Sequence, residues 1–259
     1  QGLIFTPTHP KAQAAYDWMG FEARRSVLDL LDAAVADPAA QVRAVAYDLN
    51  EPEVVSRLVS LGPRLKIIID NSDNHGKVGA AETAAAAQLA ASAGAANVKR
   101  QHMGQLQHNK FIVVAGAVNQ VICGSTNFSW RGFFVQANNA VTLTGATAVS
   151  RFQDAFDAYW ASDAVAAFGA APSAQWRDLG LAGVSAMVAF SPHAAGNALL
   201  QAIADDIGAQ TTSSLLYSLA FLYQTKGAIR DAIVAVTDRK DRFVYGMSER
   251  KVSGLDVQK

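Results

Sequence analysis

The chain has 259 residues, enough for one large or two modest domains, and 51% of them are hydrophobic with a mean hydropathy of +0.12. Its 22 basic residues balance 22 acidic ones, so the basic surplus that drives nonspecific nucleic-acid binding is missing and a nuclease is disfavoured. No run of 18 uninterrupted apolar residues argues for a spanning helix, and the lone Cys123 cannot form an internal disulfide.

In chain order, His9 adjoins Pro10 and reads as structural, as does His193 beside Pro192. Residues 30–70 read as helix, buried strand 42–49, helix 53–61 and strand 65–70. The runs Leu65-Lys66-Ile67-Ile68-Ile69 and Phe111-Ile112-Val113-Val114 are almost wholly apolar, as in central strands covered on both faces. They predict an α/β layered structure, a mixed central β-sheet flanked by helices. Residues 70–77 are rich in oxygen ligands but lack the closing Glu of a calcium loop. They read as the loop leaving a strand's carboxyl end, where such sheets place their sites, which makes His75 a candidate substrate contact. The alanine-rich stretch 79–96, ended by Gly94, is a scaffold helix, and Lys99-Arg100 read as solvated charges.

Residues 101–107 approach strand 110–114, and His102 in that approach is a further candidate substrate contact. A turn at 116–119 leads into a second strand ending at Cys123, which delivers Gly124-Ser125-Thr126-Asn127. Period-two alternation sends His108 and Lys110 to one face and Asn109 to the other. An imidazole, an ammonium and two short polar side chains around one apolar strand suit phosphate-ester chemistry: a nucleophile, a cation for the non-bridging oxygens and neutral donors. Trp130 and Phe133-Phe134 follow as a possible aromatic wall, then Gln136-Ala137-Asn138-Asn139 before strand 140–143. A composition shift at 160–181 suggests a boundary between a first domain, 1–178, and a second, 179–259.

At these residues the chain resembles the phospholipase D superfamily, whose HKD motif is H-x-K-x4-D followed by G-S-x-N. His108-x-Lys110, Gly124-Ser125-x-Asn127 and the polar segment 136–139 match; Ala115 stands where the motif has Asp, a position that lies at a turn in the family. The resemblance implies a phospholipase D-like fold of two pseudo-twofold-related halves. It implies a metal-independent, cofactor-free displacement in which one histidine forms a phosphohistidine while a second protonates the leaving alcohol and then activates water. His108, Lys110, Ser125 and Asn127 would be the catalytic set, with His75, His102, Trp130 and Asn139 beside the substrate. A phospholipid headgroup is the leading substrate and a nucleic acid the second; a noncatalytic phosphate-binding module is the alternative of another class.

Two such motifs are needed, yet among the five histidines only His108 is followed two residues later by Lys. An internal repeat offers a reason: residues 199–247 read as helix, strand 214–222, helix 227–236 and strand 242–247, the order already found at 30–70. From Asp70 to His108 takes 38 residues, and the same distance beyond Met247 reaches position 285, past Lys259. The expected partner is a companion fragment carrying the second His-x-Lys, an idea to which the Gln1-Gly2 start of the chain, in place of Met, adds the look of a trimmed end. A homodimer through a twofold axis and an inactive protein are the other two readings.

Overall fold

The computed structural model describes residues 8–19, 21–194, 198–250, 252 and 255, so Gln1-Gly2 lies outside the described residues. The first compact unit ends at Ala194. In it, helices α1 (Ala12–Met19) and α2 (Phe21–Ala36) precede β1 (Gln41–Ala46), α3 (Pro52–Ser60), β2 (Leu65–Asp70), the single turn α4 (Asp73–Gly76), α5 (Ala81–Ala93) and β3 (Val98–Gln101). Then come β4 (Phe111–Ala115), β5 (Gln120–Gly124), α6 (Trp130–Phe134), β6 (Ala140–Thr144), α7 (Ala146–Ala161), α8 (Val165–Gly169) and the short strands β7 (Arg177–Asp178) and β8 (Met187–Val188).

Six strands form one mixed sheet in the order β3-β2-β1-β4-β5-β6. The first three run parallel, and β4, β5 and β6 alternate antiparallel from β1 outward. Alternation splits the strands between two cores. Val42, Ala44, Ile67, Ile69, Ile112 and Val114 face α2, α3 and α5, whereas Val45, Ile68, Phe111, Val113 and Val121 face α7. Burial of each Leu, Ile or Phe is worth about 1.5–3 kcal/mol, so the sheet is held from both sides, as its near-continuous apolar runs require. Pro52 opens α3 at a position where a missing N–H costs nothing. The small side chains of α5 bury Ala85, Ala86 and Leu89 against the sheet, and Gly94, at φ 92°, ends that helix in a conformation that other residues resist.

Three expectations shift. Strand 42–49 stops at Ala46, because the chain bends at Asp48 and Leu49 instead bridges to Phe128. Lys99 and Arg100 are half-buried rather than solvated: Lys99 Nζ donates to the Trp160 carbonyl and lies over that ring, and Arg100 donates to the backbone carbonyls of Asp70 and His75. The expected boundary at 178 gives way to one at Ala194, since Phe168, Ala174, Leu179 and Phe190 are buried in the α7 core.

The second unit begins at Ala195. It contains α9 (Leu199–Gln210), β9 (Ser214–Ser218), α10 (Ala228–Thr237) and β10 (Phe243–Met247), with β9 and β10 paired in parallel. Helix, strand, helix, parallel strand is also the order of α2, β1, α3 and β2, as the internal repeat predicts. Leu222, Ile233 and Val252 form its core, while Leu216, Phe243, Tyr245 and Met247 are exposed.

Candidate active site

The sheet order gathers the functional residues. The carboxyl ends of β1, β2 and β3, the start of β4, the end of β5 and the start of β6 all lie along one edge of the sheet. From β1 the chain goes to β2 on one side, while β4 arrives on the other, so the switch point of the sheet falls between β1 and β4, where such sheets place their sites. Tyr47 and His108 stand at this point, their rings edge to face with centroids 4.5 Å apart.

His108 and Lys110 precede β4 and both lie against the Tyr47 ring. Asn109 turns the other way and donates to Gln107 Oε1 at 2.7 Å. Lys110 is 6% exposed; its Nζ donates to the His108 carbonyl at 2.5 Å and lies 4.9 Å from the centre of the Tyr47 ring. Burial brings the ammonium down to about 8, against the pull of Asp48 and Asp70. Burial, then Lys110, also lowers His108 from its ordinary value, so its imidazole is neutral at neutral pH. Among the described residues no hydrogen bond engages either of its ring nitrogens. A neutral imidazole beside a protonated amine is the state a phosphorus nucleophile needs.

Behind Tyr47 lies a charge cluster. His75, on α4, donates from Nδ1 to Asp70 Oδ2 at 2.8 Å and from Nε2 to Asp48 Oδ1 at 3.0 Å. Burial opposes its charge, but the two carboxylates outweigh burial and raise it to about 9. Asp70, fully buried, also accepts from the backbone N–H of Gln107 at 2.7 Å and of Ser72 at 3.0 Å; these bonds outweigh burial and keep its carboxyl below the usual range. Asp48, His75 and Glu82 bring ligand-type atoms within 4.8 Å of one another. The ring of His75, bonded to a carboxylate at each nitrogen, makes this group a salt-bridged cluster in the structure.

The Gly124-Ser125-Thr126-Asn127 loop is fastened to the start of β6. Asn139 N donates to Ser125 Oγ at 3.0 Å, Ser125 Oγ to Asn138 Oδ1 at 3.2 Å, and Thr126 Oγ1 to the Asn139 carbonyl at 2.7 Å. Gly124, at φ 146°, passes so close to Asn139 that a Cβ would collide with its carbonyl. Asn127 is 7% exposed with its Oδ1 buried and unpartnered, a polar group held in reserve. Ser129 then caps α6, accepting from Gly132 N at 3.0 Å and reaching Asp48 at 3.4 Å.

Four of the sequence-predicted residues stand differently from the others. His75 sits beside Tyr47 with both nitrogens committed to carboxylates. His102 is exposed after β3 and pairs with Asn71 Oδ1 at 2.9 Å. Asn139 spends its backbone on the motif loop, and Trp130 opens α6, 6.3 Å from Phe134. A cavity of about 650 Å³ between α2 and β6 shares Thr126, Asn138 and Asn139 with the loop but is not lined by His108 or Lys110. Tyr47, Asp48 and Asp70 belong to the site and escaped the sequence reading; their position at the ends of parallel strands was the signal for them.

Fold and site together define an α/β protein with a histidine, a buried lysine and a polar loop gathered at the carboxyl edge of its mixed sheet. A family model described as the cardiolipin synthase, phospholipase D-like domain matches residues 31–160. The chain belongs to the phospholipase D superfamily, a superfamily of phosphodiesterases. Among solved structures it resembles the phospholipase D family member Nuc from Salmonella typhimurium (25% identity, TM-score 0.42, 53% of this chain and 86% of that one). It also resembles NucT from Helicobacter pylori (13%, TM-score 0.41, 54% and 88%). Polyphosphate kinase from Porphyromonas gingivalis shares the fold over 90% of this chain (11% identity, TM-score 0.52), a match that spans 36% of the kinase's length. No curated protein matches the chain.

Proposed function

We propose that the protein is a metal-independent phosphodiester hydrolase working through a phosphohistidine on His108, with phospholipid headgroups as its substrates. The observation that carries this reading is the neutral, unengaged imidazole of His108 beside the buried ammonium of Lys110, both against the Tyr47 ring at the switch point of the sheet. A ring nitrogen of His108 attacks phosphorus, the P–N bond forms, and the P–O bond to the leaving alcohol breaks with its electron pair going to oxygen. Lys110 supplies positive charge to the non-bridging oxygens, and the Asn127 side-chain N–H of Nδ2 donates to them, with Ser125 at the rim. Water then attacks phosphorus and the P–N bond breaks, returning the electron pair to His108.

The leaving alkoxide needs a proton, and the attacking water must lose one. His75 is tied to two carboxylates, so the proposal assigns this acid–base role to a second histidine on a companion segment bearing another His-x-Lys, or on a second copy of the chain. The repeated order of helices and parallel strands in the second unit supports the companion. Balanced net charge, an apolar composition and a family model named for cardiolipin synthase favour phospholipid over nucleic acid.

Turnover on phosphatidylcholine vesicles and on single-stranded DNA, each with EDTA, tests substrate and metal independence together. The proposal expects headgroup release that EDTA leaves unchanged, loss of it in His108→Ala, and acid-stable label on protein absent while acid-labile phosphate on histidine is trapped by quenching. Full activity of His108→Ala ends the assignment; cleavage of DNA alone moves it to a nuclease; tight vanadate binding without hydrolysis, even with the companion segment supplied, makes the protein a binding module.

A further inference from the structure

His75 is unused by the chemistry above, and the structure gives it an unusual setting. Its ring is the only described link between the carboxylates that end the first two strands, Asp48 after β1 and Asp70 on β2. Each carboxylate carries a different piece of the site. Asp70 Oδ1 accepts from Gln107 N, one residue before His108, and Gln107 is itself fully buried. Asp48 reaches the Ser129 hydroxyl that caps α6, two residues after Asn127. On its open side the His75 ring stacks edge to face on Tyr47 at 4.5 Å, and the same tyrosine takes His108 at 4.5 Å and Lys110 at 4.9 Å on its remaining surface. Arg100 of β3 holds the His75 carbonyl at 2.7 Å, which fixes the turn that presents the ring.

We propose that His75 is a positioning residue: as a cationic strut between Asp48 and Asp70 it locks the approach to His108 against the loop that carries Asn127, and through Tyr47 it sets the His108 ring. This deepens the hydrolase reading and rests on it for its kinetic consequence. A fixed geometry between nucleophile and phosphate ligand is worth much of an enzyme's rate, and a misplacement of about 1 Å costs on the order of 100-fold. The strut also has an electrostatic sign. The groups facing His108 are Lys110 on its own strand, Asp48 and Tyr47 after β1, Asp70 on β2 and His75 on α4, with Glu82 of α5 behind them. Positive His75 and Lys110 favour the neutral imidazole, while the two aspartates oppose it. Removing the strut leaves the aspartates uncompensated, so the His108 midpoint must rise.

His75→Gln keeps the size of the side chain and one donor but removes the charge. Asp48→Asn with His75→Gln removes the facing carboxylate too and covers the case in which the single variant fails to fold. Histidine-labelled NMR, with His108→Gln used for assignment, follows the His108 midpoint in the full chain and needs no turnover. We expect the midpoint to rise in His75→Gln and to rise less in the double variant. Steady-state assays on the better of the two substrates are expected to show kcat falling by about 10- to 100-fold with KM changed by less than about threefold. An unchanged His108 midpoint with unchanged kcat overturns the strut. No turnover on either substrate by the unsubstituted protein, with a segment bearing a second His-x-Lys supplied, ends the hydrolase reading instead, and the NMR result then decides the strut by itself.

Discussion

Lys110→Met separates what a buried cation does for binding from what it does to the fold. Lys110 is 6% exposed and titrates at about 8 against an ordinary 10.5. For a base whose native midpoint is depressed, the unfolded chain binds more protons between the two values, so stability rises with pH across that window. At about 1.4 kcal/mol per decade, the interval from 10.5 to about 8 is worth roughly 3 kcal/mol. Methionine has similar length and no charge to desolvate, so it is free of this cost at pH 7. It leaves the His108 carbonyl without a donor, which costs about 1–3 kcal/mol and does not vary with pH. The expected outcome is a variant about as stable as the parent at pH 7. By pH 10.5 the parent has gained roughly 3 kcal/mol on it, the loss of the His75 charge near 9 being common to both. Urea denaturation at pH 7, 8, 9 and 10 measures the difference. Vanadate affinity at pH 7 should fall by about 10- to 150-fold, the value of a charge-assisted hydrogen bond of about 1.5–3 kcal/mol. A stability difference that stays flat from pH 7 to 10 refutes the buried-cation argument, and undiminished vanadate binding removes Lys110 from the site.

Three further outcomes follow from the same geometry. The pH profile of kcat/KM should be bell-shaped, with an acidic limb below 6.5 as His108 protonates and an alkaline limb near 8 as Lys110 loses its proton, measured on any substrate that turns over. Gly132→Ala drives a methyl group into the Asn127 backbone carbonyl; the forced backbone shift should outweigh the gain in helix propensity and cost about 1–3 kcal/mol by thermal melting, and vanadate affinity should drop as Asn127 is displaced. Phe156→Ala, at the centre of the α7 core and fully buried, should cost about 3–5 kcal/mol in urea denaturation and leave the His108 NMR midpoint where it was.

How far the sequence reached depended on whether the relevant contact was local. The proximity of His108 and Lys110 was expected from strand periodicity, and both lie against the Tyr47 ring although the strand itself begins only at Phe111. The layered α/β fold was legible in the same way, because runs such as Ile67-Ile68-Ile69 have nowhere to go except between two layers of helices. Strand 42–49 overran its true end because the apolar Leu49 beyond Asp48 looks like its continuation, whereas the chain bends at Tyr47-Asp48, where Asp48 meets His75, 27 positions on. The boundary expected at 178 had the same weakness: small residues at 161–174 look like a linker, and only the burial of Leu179 and Phe190 against α7 shows that they are not.

His75 illustrates what a residue type alone withholds. A histidine in a polar loop at a strand's carboxyl end is equally suited to binding substrate and to bracing the residues that do. What decides between them is counter-charge: an imidazole facing one open crevice keeps a free nitrogen, whereas one set between Asp48 and Asp70 gives up both. The carboxylates lie on neighbouring parallel strands whose ends are brought together by the β1–β2 register, Ala46 opposite Ile69. That register places Asp48 and Asp70 close enough for one ring to span them, so the strut needs the pairing of strands about 23 residues apart as well as the turn, held by Arg100, that presents His75.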